Sequence, residues 1–365
     1  MPRPITLDAL RRHAIARSLT RPTTLGRAIT RLGYVQADPI RAPARAQDLI
    51  LRHRVHDYVA GDLEARYPRL DVEEDYFVNY GFLPRALADL MHPRTARRTW
   101  SARERRRAEA VLAFVRERRV VHPNEVDAHF AHGHATNWFG GRSRVSTPVL
   151  DGMHYRGLLR IARRSGGIRV YAARDVGQDD RDPIELLDTL LDVAVRLYAP
   201  LPASRLGYLL SGLLHYGAPQ WRHLRRAALA RARARAAGAT VDGVPWLWPA
   251  DERPSAAHDR VEDRVRLLAP FDPVVWDRLR FEHFWGWAYR FEAYTPAPKR
   301  VRGYYALPLL WRDAVIGWAN VSVVGGALVP RLGYVTGSPP TDVAFRTALE
   351  AELADLARFL GCSAG

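Results

Sequence analysis

Leu158-Leu159-Arg160-Ile161-Ala162-Arg163-Arg164-Ser165-Gly166-Gly167-Ile168-Arg169-Val170-Tyr171 is the stretch on which the reading of this chain turns. Two β-prone runs, Leu158–Ile161 and Ile168–Tyr171, flank Ser165-Gly166-Gly167, the signature of a hairpin. Just upstream, Ser146-Thr147-Pro148 reads as a cap followed by proline in the first turn, opening a helix to about Arg156. Earlier still, Val111, Leu112 and Val115 recur at helical spacing, and Pro123-Asn124 precedes a short helix through Val126 and Phe130. Three helices followed by a hairpin is the order of a winged helix, whose third helix commonly enters the major groove while the wing touches backbone.

The order recurs on either side. A helix from about Pro183 to Tyr198 is followed by one opening at Pro202-Ala203-Ser204. A third, from Pro219, carries Arg222, Arg225, Arg226, Arg231, Arg233 and Arg235, and Asp242-Gly243 supplies a turn after it. The first 60 residues begin with capped helices at Thr6 and about Thr23, with a less distinct hairpin. Beyond residue 265, Tyr289–Tyr294, Tyr304–Leu310, Val315–Val323 and Ala327–Val335 are β-branched or aromatic runs broken by Pro and Gly, which suggests a small barrel or sandwich. Leu349, Leu353, Leu356 and Leu360 mark a closing amphipathic helix. The expected fold is α+β: winged-helix domains at 1–100, 101–180 and 181–262, a small β-barrel at 263–340, and a C-terminal helix and tail at 341–365. At about 150 residues per domain, the length of 365 alone gives about two to three domains.

Charge is the unusual feature of the composition. The formal net charge is +16, and Lys299 is the only lysine among 55 basic residues. Arginine suits bidentate phosphate contacts, so a polyanion is the expected partner, nucleic acid before membrane surface. The lone Cys362 excludes an internal disulfide and a four-Cys cluster. No secretory h-region or 18-residue apolar run is apparent, and a cytoplasmic, nucleoid-associated monomer is expected. Walker A, dinucleotide-binding, His-Glu-x-x-His and nucleophile-elbow motifs are absent. His129, His132 and His134 lack acidic or Cys partners at metal-site spacing, so no metal is expected. Trp138-Phe139-Gly140-Gly141 fits core packing better than base stacking.

The chemistry is concentrated in Tyr34-Val35-Gln36-Ala37-Asp38-Pro39-Ile40. Pro39 biases Asp38 toward extended backbone, where Gln36 and Asp38 project to one side while Val35 and Ala37 face the core. An amide beside a carboxylate can orient and deprotonate a water, or stabilise a cationic centre. The competing reading makes Asp38 a helix N-cap with Pro39 as the first helical residue. Basic residues expected to meet phosphates are Arg41, Arg45 and Arg52, then Arg142 and Arg144, then Lys299, Arg300 and Arg302. A further cluster, Arg97, Arg98, Arg103 and Arg105–Arg107, surrounds Trp100, and an acidic stretch, Asp71 with Glu73-Glu74-Asp75, lies between.

The order and spacing of several of these segments resemble the winged-helix DNA glycosylases of the YcaQ/AlkZ-like, crosslink-repair group. The resemblance is carried by Leu32-Gly33-Tyr34-Val35-Gln36-Ala37-Asp38, Ala44-Arg45-Ala46-Gln47-Asp48-Leu49, Asn137-Trp138-Phe139-Gly140, Leu267–Pro273 and Lys299-Arg300-Val301-Arg302-Gly303-Tyr304-Tyr305. It implies three winged-helix units and a β-barrel around a concave DNA channel, with Gln36 and Asp38 as a catalytic Gln-x-Asp pair. The implied reaction releases N7-alkylated purines, including crosslinks, from double-stranded DNA without metal or cofactor. Tyr76-Phe77-Val78-Asn79-Tyr80 replaces the group's aromatic-rich Tyr-Trp-x-His-Glu run, and Pro39 is not general in it; both departures bear on substrate more than on the bond cleaved. The alternative is a non-catalytic winged-helix DNA-binding protein or transcriptional regulator. A nuclease would need a metal-binding carboxylate cluster.

Overall fold

The computed structural model describes residues 4–96, 98–130, 134–136, 142–144, 146–175, 177, 180–254 and 261–363. After α1 (Leu7–Ser18), whose Thr6 cap accepts the Ala9 N–H at 3.1 Å, one element order is used three times. First come α2 (Leu25–Leu32), β1 (Val35–Gln36), α3 (Ala46–Leu51), α4 (Asp62–Arg66), β2 (Val72–Tyr76) and β3 (Tyr80–Pro84), closed by α5 (Arg85–Asp89). Second come α6 (Ala102–Arg118), β4 (Val120–Val121), α7 (Pro123–Phe130), a small hairpin of β5 (His134–Thr136) and β6 (Arg142–Arg144), α8 (Ser146–Tyr155), β7 (Leu159–Ser165) and β8 (Ile168–Ala173). Third come α9 (Pro183–Tyr198), β9 (Leu201–Pro202), α10 (Ala203–Tyr216), α11 (Arg225–Arg235), β10 (Ala236–Val241) and β11 (Val244–Pro249). In each, a two-residue strand pairs with the last strand of the hairpin, giving the orders β1-β3-β2, β4-β8-β7 and β9-β11-β10. Backbone punctuation sets many boundaries: Asp182 caps α9 ahead of Pro183, and Asp242 and Gly243, at φ 49° and 76°, turn β10 into β11.

The remainder comprises β12 (Val265–Leu267), α12 (Arg278–Trp285), β13 (Leu307–Trp311), β14 (Ala314–Val324), β15 (Ala327–Tyr334) and α13 (Val343–Leu360). The barrel expected over 263–340 is corrected here: the sheet is open, in the order β12-β13-β14-β15. Tyr289–Tyr294, expected as a strand, is irregular. Tyr289 instead turns its ring toward Phe281 on α12 and donates its hydroxyl to the Ala306 carbonyl at 2.7 Å. Without that strand, and with β12 only three residues long, nothing among the described residues joins the two edges. Buried apolar side chains of all three repeats, this sheet and α13 form one continuous core. Among the described residues no helix is long and apolar enough to cross a membrane.

One strand departs from apolar burial. Glu73, Glu74 and Asp75 on β2 are almost wholly enclosed, each neutralised by later segments. Glu73 meets Arg160 and Arg174; Glu74 meets Arg164; Asp75 meets His92 at 2.7 Å, Arg94 at 3.1 Å and Arg174 at 3.4 Å. Buried carboxylates are tolerated only when paired and hydrogen-bonded in this way.

Candidate active site

Gln36 is the last residue of β1 and sits opposite Gly81 on β3. A Cβ at Gly81 would lie 2.3 Å from the Val35 carbonyl oxygen, so glycine there is what lets β1 approach. Ala37 continues the pairing by donating to the Tyr80 carbonyl at 3.0 Å, and the chain then leaves the sheet. Asp38 is no helix cap. The next helix begins at Ala46, and the Asp38 carboxylate accepts the Ile40 N–H at 2.9 Å in a local Asx turn. Gln36 and Asp38 therefore lie side by side on the wall of an open cleft of about 640 Å³.

That cleft is cationic on one side and aromatic on the other. Arg45, at the start of α3, and Arg164 and Arg169, from the β7–β8 hairpin, line the first side. Each is partly balanced: Arg45 by Glu64 at 2.7 Å, Arg164 by Glu74, and Arg169 by Asp151 at 3.1 Å. Phe271, Phe291 and Tyr294 form the other side, with Tyr294 78 % exposed at the mouth. A second concavity of about 490 Å³ adjoins it, sharing Gln36, Asn79 and Phe271 and adding Trp276, Tyr208 and Arg278. Gln36 stands at the divide.

The orientation of Gln36 is fixed by its partner. The Trp276 indole N–H, which can only donate, gives its hydrogen to Oε1 at 3.1 Å, so the Gln36 amide nitrogen is left as a donor. Burial raises the pKa of Asp38, and the Ile40 N–H offsets this only in part. The carboxylate consequently holds a proton more readily than an exposed aspartate. Behind it, burial and then the charge of Asp38 push the Tyr305 phenol far up, so it stays protonated.

The other expected DNA contacts divide. Arg41 and Lys299 are exposed, and neither makes an ion pair among the described residues. Arg300 donates to the Thr295 carbonyl at 2.8 Å and lies over the Tyr304 ring, while Arg302 is held between Trp287 and Trp318. Arg52 is a correction: its side chain is 4 % exposed, paired with the buried Glu352 of α13, and donates to the Leu267 carbonyl. It ties α3 to the C-terminal region and cannot reach a phosphate. Arg142 and Arg144 belong to β6, whose side chains lie outside the described residues, as do Arg97, His132 and the Asn137-Trp138-Phe139-Gly140 segment. His129 stacks on Phe114 at 4.4 Å, a packing role.

Arg164, Arg169, Trp276 and Gln47 were not singled out by spacing. The two arginines flank the Gly-Gly turn of a hairpin whose basic character was visible, but its docking on the first repeat was not. The indole and the Gln47 amide contact the Gln36–Asp38 segment only through the fold.

These features define a mixed helix-and-sheet protein with an amide–carboxylate pair in a basic, aromatic cleft. Residues 29–359 match the family described as DNA glycosylase AlkZ-like, and the chain belongs to that family of DNA glycosylases. It is also similar in fold to the Streptomyces sahachiroi DNA glycosylase AlkZ, with a TM-score of 0.63 and 14 % sequence identity. The match covers 99 % of this chain and 98 % of that one.

Proposed function

We propose that the protein is a monofunctional glycosylase that hydrolyses the N-glycosidic bond of N7-alkylated purines in double-stranded DNA, crosslinked purines included, and leaves an abasic site. The observation that carries this reading is the placement of Gln36 and Asp38 together on the wall of a cleft large enough for an extruded nucleotide. N7 alkylation makes the purine a cationic leaving group, so no strong general acid is required. Departure leaves an oxocarbenium-like sugar, which the Asp38 carboxylate stabilises while accepting a proton from the attacking water. The Gln36 amide donates to the water or the sugar, its oxygen being committed to Trp276.

The three repeats are read as winged-helix units within 1–100, 101–180 and 181–262, acting as a monomer on duplex. Arg41, Arg45, Lys299, Arg300 and Arg302, with Arg142 and Arg144 of β6, are assigned to phosphates, and Arg164 and Arg169 join them. The repair reading favours a nucleoid location, and the reaction as written draws on no metal or cofactor. The test is single-turnover incubation with duplex carrying N7-methylguanine or a mustard crosslink. Release of free base with strand breaks only after added alkali supports the reading. Binding without release would favour the regulator.

A further inference from the structure

We propose that Gln47 is a third polar group of this site, positioning Asp38 through its backbone and holding the attacking water with its amide nitrogen. The inference rests on the glycosylase reading above. Beyond the end of β1, the Asp38 N–H has no strand partner. Its acceptor is the Gln47 Oε1 at 3.4 Å, a long hydrogen bond from the second residue of α3. A backbone N–H can only donate, so this contact fixes the amide as the Trp276 contact fixes Gln36: oxygen on the Asp38 N–H, nitrogen left to donate elsewhere.

Gln47 is only 5 % exposed, yet it lines the cleft, and its Nε2 is not among the buried polar atoms lacking a partner. No protein acceptor takes its hydrogens among the described residues, and the cleft that Gln47 lines together with Asp38 offers this donor a water. A water between them accepts from Nε2 and donates to Asp38, leaving a lone pair for C1′. In the reaction the water oxygen bonds C1′ and one water proton passes to the Asp38 carboxylate. The C1′–N9 pair leaves with the purine, whose N7 positive charge it cancels.

Two substitutions separate positioning from water binding. Gln47→Ala removes both roles, and single-turnover release of N7-methylguanine is expected to slow by about 10²-fold. Gln47→Glu keeps an acceptor for the Asp38 N–H but deletes the donor and adds a negative charge. Its release should be at least as slow, with the acid limb of the pH–rate profile moved upward, because a like charge disfavours ionised Asp38. The other charged or titratable groups around Asp38 are Arg45, Glu74, Tyr80, Arg164, Arg169, Tyr294 and Tyr305, none altered by the change. Binding to undamaged duplex should stay within about twofold of wild type, because the proposed phosphate contacts lie elsewhere. A Gln47→Glu protein that releases base at the wild-type rate with an unmoved acid limb overturns the proposal even if Gln47→Ala fails to fold. A folded Gln47→Ala protein at full rate does the same. Absence of release by the wild type overturns the glycosylase reading and this inference with it.

Discussion

At the residue scale, Asp38 offers a clean substitution because its local turn tolerates asparagine. Asp38→Asn keeps an oxygen for the Ile40 N–H while removing the charge. Release of N7-methylguanine in single turnover is expected to fall by about 10²–10³, with duplex binding preserved. Wild-type release would dismiss the carboxylate mechanism. The raised pKa also sets a stability sign: above the unfolded pKa the folded protein ionises Asp38 less readily than the unfolded chain. The cost develops as pH rises from the unfolded toward the folded pKa and persists above it. Asp38→Asn should therefore melt higher than wild type at pH 7, and the gain should vanish in acid; thermal melts at the two pH values check this. Lys299 is exposed and is the only side-chain amine, so an imine to the abasic sugar is not expected. Borohydride should trap no covalent DNA adduct, and stoichiometric trapping at Lys299 would contradict the monofunctional reading.

At the scale of elements, the site depends on two tight approaches. Gly81 admits β1, and the Arg54–Asp272 pair holds the loop that carries Phe271 and leads to Trp276. Arg54 meets both Asp272 oxygens, at 2.8 and 3.0 Å, and also bonds the Ser18 and Ile50 carbonyls. Asp272→Ala leaves a buried guanidinium without its counter-charge and should cost about 3–5 kcal/mol in urea unfolding. A loss below about 1 kcal/mol would show that the pair carries little. The helices, the Asp-Gly hairpin and Gln36 beside Asp38 were legible because caps, prolines and two-residue alternation are local signals. The β2–β3 hairpin was not. Val72-Glu73-Glu74-Asp75-Tyr76 has carboxylates where a buried strand should be apolar, and the arginines that make them tolerable lie up to about 100 residues away. Tyr289–Tyr294 failed for the opposite reason: its aromatic rings signal strand, but Tyr289 packs onto Phe281 of α12 while Phe291 and Tyr294 line the cleft.

For the whole molecule, the net charge of +16 overstates what is free to meet DNA. Arg231 and Arg235 of α11 pair with Asp188 on α9, Arg98 with Glu104, and Arg17 with Glu252. Duplex affinity should still fall with salt, at a log–log slope of about 0.9 per contacted phosphate, and vary little with sequence. Arg52→Ala should leave that slope unchanged, because its charge is spent on Glu352, whereas Arg41→Ala should reduce it by about one contact. Salt titrations of the two variants against wild type decide the matter, and equal slopes for all three would remove Arg41 from the interface.

The enclosed acidic strand also has a consequence for the order in which the chain can be completed at the ribosome. Glu73 finds Arg85, and Asp75 finds His92 and Arg94, within the first hundred residues, but Glu74 emerges well before Arg164 and Arg169, and burying it uncompensated would cost several kcal/mol. The first repeat must therefore wait, incompletely closed, until translation has passed the hairpin of the second. The Gln36–Asp38 wall, hung on the same small sheet, should mature no earlier than Arg164. A nascent chain arrested near residue 100 should stay protease-sensitive, and one arrested far enough past residue 174 to clear the exit tunnel should become resistant.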